Sequence, residues 1–260
     1  MSTRKAKGAF FGLMIAAAFA AGFLVLANPS YRAAGSQNQE KLRAHEGTPL
    51  PLAHFSVQQS GTNAEQALRT VRSSRYDKSY PSRLDELRPD TVERSRITHF
   101  WVNLPALPTS ESDAVLLGDV TDAHGYVSND KTGAYSEFTI RIEQIFKDDG
   151  HSSGGLVTAE REGADVRLPT GRMIRYRIAD QVLPILRGRY VFFLKYDPQG
   201  EDYHILTAYG LEKGRVFPLD ESVGRFAIHK GADEGAFLKT VSEAVVHPPP
   251  APQDARRLNQ

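Results

Sequence analysis

The run Tyr190-Val191-Phe192-Phe193-Leu194 constrains the fold more than any other segment of the chain. It is apolar in both phases of a strand's two-residue repeat: Phe192 and Leu194 fall on one side, Val191 and Phe193 on the other. Such a strand has to be covered twice. Residues 190–196 are therefore expected at the centre of the fold, with a sheet interior against one face and an outer layer against the other. Two helical segments are available as that layer. Residues 64–76 carry Ala67, Leu68 and Val71 as an apolar stripe behind a cap at Thr62 or Asn63, and Asp233 to about Val245 places Phe237, Val241, Ala244 and Val245 on one face.

Around that run the chain has the grammar of short strands. Ala114 to Val120 is a buried strand, and Asp122-Ala123-His124-Gly125 and Ser128 to Gly133 have the composition of turns. Phe138, Ile140 and Ile142 alternate with Thr139, Arg141 and Glu143, and the alternation slips at Ile145-Phe146, which predicts a bulge. Further strands are expected at 156–158, 173–178, 203–207 and 215–219, separated by turns at 187–189, 197–200 and 213–214. Residues 82–87 have room for one short helix before Pro89.

At the other end of the chain, Gly8 to Ala27 holds no charged residue and follows Arg4, Lys5 and Lys7. Residues 9–27 as a helix would span ~28 Å, close to the thickness of a bilayer core. The three cations favour the cytoplasmic side, so the rest of the chain is expected outside. The apolar run exceeds a signal-peptide core in length, which favours an uncleaved anchor over cleavage after Ala27. The organisation that follows is a cytoplasmic stretch 1–8, a transmembrane anchor 9–27, a flexible tether 28–61, a helical and irregular lead-in 62–111, a β domain with a closing helix 112–246, and a disordered Pro-rich tail 247–260. The address is the inner membrane, single-pass, with the C-terminal domain periplasmic.

Composition narrows the chemistry. There is no cysteine, which removes disulfides, thiolate metal sites and thiol nucleophiles. From Asp113 to Lys239 there are 16 basic and 20 acidic residues, an acidic balance that argues against nucleic acid as a partner. The lead-in is basic instead, through Arg69, Arg72, Arg75, Arg83, Arg88, Arg94 and Arg96. These residues read as a solvated helix face, with attraction to anionic lipid or an acidic partner as the functional alternative.

Three pieces carry a resemblance: Ser112-Asp113-Ala114-Val115 with Gly118-Asp119-Val120, then Tyr135 to Thr139, then Gly188 to Leu194. Their layout resembles an exported bacterial domain with the OB-type barrel of the metalloproteinase-inhibitor and netrin-module group. The resemblance covers about half of the chain and implies a small OB-like antiparallel β-barrel with flanking helices. The inhibitors of that group chelate zinc through an N-terminal cysteine and are held by disulfides. This chain has neither, so inhibition of metalloproteases does not carry over, and a fold by itself does not give a function.

Asp119, Asp122 and His124 are the best metal-like grouping, and a metal-assisted hydrolase built on them is one alternative function. Expected at a strand end and turn, they are equally ordinary turn residues. His99, His151, His204 and His229 lack HExxH spacing, and there is no GxSxG elbow or phosphate-cradling glycine loop. Arg175 and Arg177 share a strand face, with Glu160 and Glu162 as expected partners. No catalytic, cofactor or metal residue is assigned. The preferred reading is a membrane-anchored extracytoplasmic binding or scaffolding module with an envelope protein as partner; a ligand sensor of the envelope is the second alternative.

Overall fold

The alternation read from the sequence becomes a mainly β fold in the computed structural model, which describes residues 49–56, 62–78, 83–86, 92–94 (backbone only), 104–148, 150–152, 154–178 and 181–249. In chain order the elements are β1 (Leu52–His54), α1 (Asn63–Ser74), β2 (Val92–Arg94), β3 (Ala114–Val127), β4 (Ala134–Lys147), β5 (Leu156–Glu162), β6 (Ala164–Arg167), β7 (Met173–Ile178), β8 (Arg189–Asp197), β9 (Asp202–Glu212), β10 (Arg215–Pro218) and α2 (Glu234–Val246). Single 3-10 turns lie at Leu84–Glu86 and Phe226–His229.

The strands form two sheets. The larger has the order β10-β9-β5-β4-β3-β8, and β8 also pairs with β9, so that β3, β4, β5, β9 and β8 close into a ring. Every pairing in that ring is antiparallel except β5–β9, which is parallel through Ala159↔Tyr203 and Glu160↔His204. The smaller sheet has the order β1-β6-β7-β2.

The slip at Ile145-Phe146 is a bulge. Val115 faces Lys147 and Leu116 faces Ile145, which leaves Phe146 without an opposite residue. Glu143 is skipped in the same way between Gln144 and Ile142, and on β3 Thr121 is skipped between Val120 and Asp122. Each extra residue bends its strand and adds twist, which a sheet needs in order to close.

Both faces of β8 are covered, as its two apolar phases require. Phe192 and Leu194 join Leu116, Phe138, Ile140 and Ile205 in a core fed by all five ring strands. Val191 and Phe193 join Val115, Leu206, Tyr209 and Val216 in a second core, covered by Phe226 and by Phe237, Val241 and Ala244 of α2. Of the two candidate outer layers, α2 is therefore the one that covers β8. It starts at Asp233, whose carboxylate accepts the Ala236 backbone N–H at 3.0 Å and so caps the helix.

Four expectations are corrected. The tether does not reach residue 61: Leu52–His54 pairs in parallel with Asp165–Arg167, and Ala53 and Phe55 are buried against Val166, Ile174 and Tyr176. Residue 112 is not a domain boundary. Residues from Thr48 onward form one unit, and the lead-in is fastened to it by Tyr209 Oη donating to the Ala106 carbonyl (2.5 Å) and Arg225 donating to that of Leu104 (2.7 Å). Residues 122–125 are not a turn but the second half of β3, and the hairpin turn is 128–133. Gly125 serves a close crossing there: a Cβ would come within 2.6–2.8 Å of backbone atoms of Pro51, Leu52 and Ala53. The fourth correction concerns α1, whose stripe is not its buried face. Ala67 is exposed and Leu68 and Val71 are half-buried, whereas Arg72, Ser73 and Tyr76 are buried.

Among the described residues no helix is long and apolar enough to cross a membrane. The anchor expected at 9–27 and the tail from 250 onward lie outside the described residues.

Candidate functional site

A dense grouping of ionisable side chains lies under α1. The helix is set by a capping box: Thr62 Oγ1 accepts the Glu65 N–H at 3.3 Å, and Glu65 accepts the Thr62 N–H at 2.8 Å. Three residues apart near its end, Arg72 and Arg75 project from one face into the ring strands. The Arg72 Nε–H donates to the Gly200 carbonyl (2.8 Å), and its Nη1 lies 3.3 Å from Glu137. Arg75 donates to Glu160, reaches Asp202 Oδ1 at 3.0 Å through both terminal nitrogens, and meets Asp197 at 2.6 Å. Just beyond the helix, Lys78 donates to Glu162 and to Tyr176.

The socket is dry. Glu160 and Asp202 side chains are fully buried. Burial pushes the Glu160 carboxyl well above the ordinary carboxylate range, reinforced by Asp202 and opposed by Arg75. Burial likewise pushes Asp202 up to about 6 against the pull of Arg75 and Arg72. His204 Nδ1 sits 3.0 Å from Glu160, and burial, aided by the Arg75 charge, lowers that imidazole to about 4, which keeps it neutral. Tyr76 stacks on Tyr135 (ring centroids 4.5 Å apart, 12° between planes), and Tyr135 shares a 3.2 Å hydrogen bond with Ser73. Gly200 leaves room for this pair: a Cβ would lie 2.0 Å from Arg75 Nη2 and 2.6 Å from Asp202 Oδ1, so a side chain there would push the guanidinium aside.

This arrangement corrects the reading of the lead-in arginines. Arg72 and Arg75 are not a solvated face, and their acidic partners lie in the chain's own β strands. It also reassigns two carboxylates. Arg175 pairs with Asp165 at 2.8 Å, while Glu160 and Glu162 belong to Arg75 and Lys78. The signal available in the sequence was the one-face spacing of Arg72, Arg75 and Tyr76, together with the charged run Glu160-Arg161-Glu162 inside a strand.

The residues singled out from the sequence as metal-like are spread along β3. Asp119 pairs with Arg141 at 2.7 Å, and Asp122 lies 2.9 Å from His124, both of them exposed. Among the described residues no group of three or more His, Asp and Glu comes together as a metal site.

A second feature is concave rather than charged. An open, mainly apolar groove of about 460 Å³ runs over α2, between Ala106-Leu107, the 226–229 turn and the helix's C-terminal half. Ala244 and Ile228 line it, with His229, Thr240, Glu243 and His247 at its rim. Ile228 is 68% exposed. Such volumes are those of ordinary ligand sites, which pair an apolar lining with a few polar groups.

No protein-family model matches the chain, and no curated protein matches it in sequence.

Proposed function

We propose that the chain is a membrane-anchored, extracytoplasmic binding or scaffolding module on an OB-type barrel, and that the groove over α2 takes an apolar side chain of an envelope protein. The barrel reading is supported by the ring itself, a meander β3-β4-β5 closed by the hairpin β8-β9, with β9 parallel to β5. The anchoring reading is supported by the apolar run 9–27 behind three cations. The groove carries the binding reading, because an exposed apolar concavity beside a well-packed core marks an interaction surface.

The test places a photo-crosslinking residue at Ile228 in the full chain in its native membrane, with a second at Ile185, which is 38% exposed and does not line the groove. A discrete protein adduct at 228, absent at 185 and lost when Thr240→Trp, at an exposed lining position, fills the groove, is the expected result. Adducts that are the same at both positions, or that survive Thr240→Trp, would refute it.

A further inference from the structure

We infer that α1 is a proton-controlled latch, gripped by its socket when the carboxylates there bind a proton and loosened when they release it. The charges do not balance. Two guanidiniums, Arg72 and Arg75, face four carboxylates, Glu137, Glu160, Asp197 and Asp202. The neighbouring Lys78–Glu162 pair is neutral by itself. With every carboxyl ionised, carboxylates outnumber guanidiniums by two, and while Asp197 and Glu137 keep some contact with solvent, the Glu160 and Asp202 side chains have none. Two buried oxygens have no hydrogen-bond donor: Glu160 Oε2, and Asp202 Oδ2, which lies 3.2 Å from Arg72 Nε although that N–H is directed at Gly200. An oxygen without a donor is a poor seat for a full charge, and protonation removes the cost.

The remaining groups around α1 do not cancel this preference. His204, against Glu160, stays neutral throughout the relevant range. Tyr76 and Tyr135 are held un-ionised by burial, and the hydrogen bond of Tyr76 to Glu160 offsets part of that carboxyl's burial without reversing its upward shift. Asp77 accepts the Asp130 backbone N–H at 2.8 Å; burial raises Asp77, whereas Asp130 is lowered because hydrogen bonds from Thr132 and Ser128 outweigh its burial, so this pair pulls in opposite directions. Arg69 lies over the Tyr126 ring. The apolar contacts of this segment are the Tyr76 stack on Tyr135 and a Leu68 and Val71 face that is only half-buried. Once undocked, Glu160 and Asp202 regain water and ordinary acidity. The docked state therefore binds more protons, falling pH favours docking, and rising pH favours release.

A chain without cysteine allows a direct test. Single cysteines are introduced into the full chain at Ser73, which is buried in the dock, and at Ser74, which is exposed beside it. The ratio of their thiol-labelling rates cancels the reagent's own pH dependence. That ratio is expected to rise by about tenfold or more between about pH 5 and about pH 8, a change equivalent to at least about one unit of linked pKa, and to rise less in Asp202→Asn, where Glu160 alone still titrates. Thr109→Cys, 1% exposed and bonded to the Ala244 carbonyl away from the dock, reports whole-domain opening and should not follow. Amide exchange over residues 70–76 in the unmodified chain, corrected for intrinsic rates, should show the same trend. A ratio independent of pH, an equal rise in Asp202→Asn, or a parallel rise at Thr109→Cys would each overturn the latch.

Discussion

Truncating Phe193 tests whether β8 is covered by two separate cores. Phe193 is fully buried, edge-on to Tyr209 with centroids 6.1 Å apart, and Tyr209 in turn tilts against Phe237 of α2 at 5.0 Å. Phe192, one residue earlier, is equally buried but packs against Tyr190 on the ring side. Phe→Ala at either position should cost ~3–5 kcal/mol, a large share of the ~5–15 kcal/mol that holds a typical domain. The coupling is more telling than the size. Phe193 and Phe237 share a partner, so their combined replacement by leucine should depart from additivity by about 0.5 kcal/mol or more. Phe192 and Phe237 lie in different cores and should add to within about 0.5 kcal/mol. Urea unfolding of the full chain in detergent at fixed pH, with slopes compared across the set, measures both cycles. If the two cycles gave the same coupling, or if both alanine variants lost under ~1 kcal/mol, β8 would not be a doubly covered strand and the ring would not be the organising unit.

Further outcomes follow from single sites. Gly125→Ala forces a methyl group against the backbone of β1 and should lower the melting temperature by several degrees, with proteolysis between residues 48 and 56 appearing first. The pH dependence is a balance of opposites: Asp202, raised to about 6, adds stability that is lost as pH rises through that value, whereas His204, lowered to about 4, adds stability that is lost as pH falls through that value. His204→Gln should therefore lose stability more steeply than the parent as pH rises from about 4 to about 6, read as melting temperature; equal slopes would show that His204 does not titrate as described. A reporter fused after residue 260 should be active only outside the cytoplasm, and cytoplasmic activity would invert the topology.

What the sequence made legible was local. The two-phase run 190–194, the alternation 138–142, the slip at 145–146 and the face of α2 are all patterns within about ten residues, and each has its counterpart in the structure. Three things were not legible. β1 is only three residues long and follows Pro51, so its strand character comes from β6, over a hundred residues away. The face of α1 that docks is the charged one, because the socket offers carboxylates, and an amphipathic stripe identifies only the side that prefers oil. The socket itself joins residues that are 62 to 128 positions apart, a convergence set by ring closure rather than by spacing. Among the described residues the charged cluster contains none of the residues singled out as metal-like.

The short strand β1 has a mechanical meaning. It is the first element of the unit that begins at Thr48, and it is held by three parallel rungs on β6, with Leu50 N–H on Asp165 and Phe55 N–H on Arg167 at either end. Tension directed along the strand from the N-terminal side would load these rungs together, as sliding between two parallel strands. Gly125 lets that fastening lie flush across β3. A pull on the leading segment would therefore act on the smaller sheet and, through that crossing, on β3 of the ring.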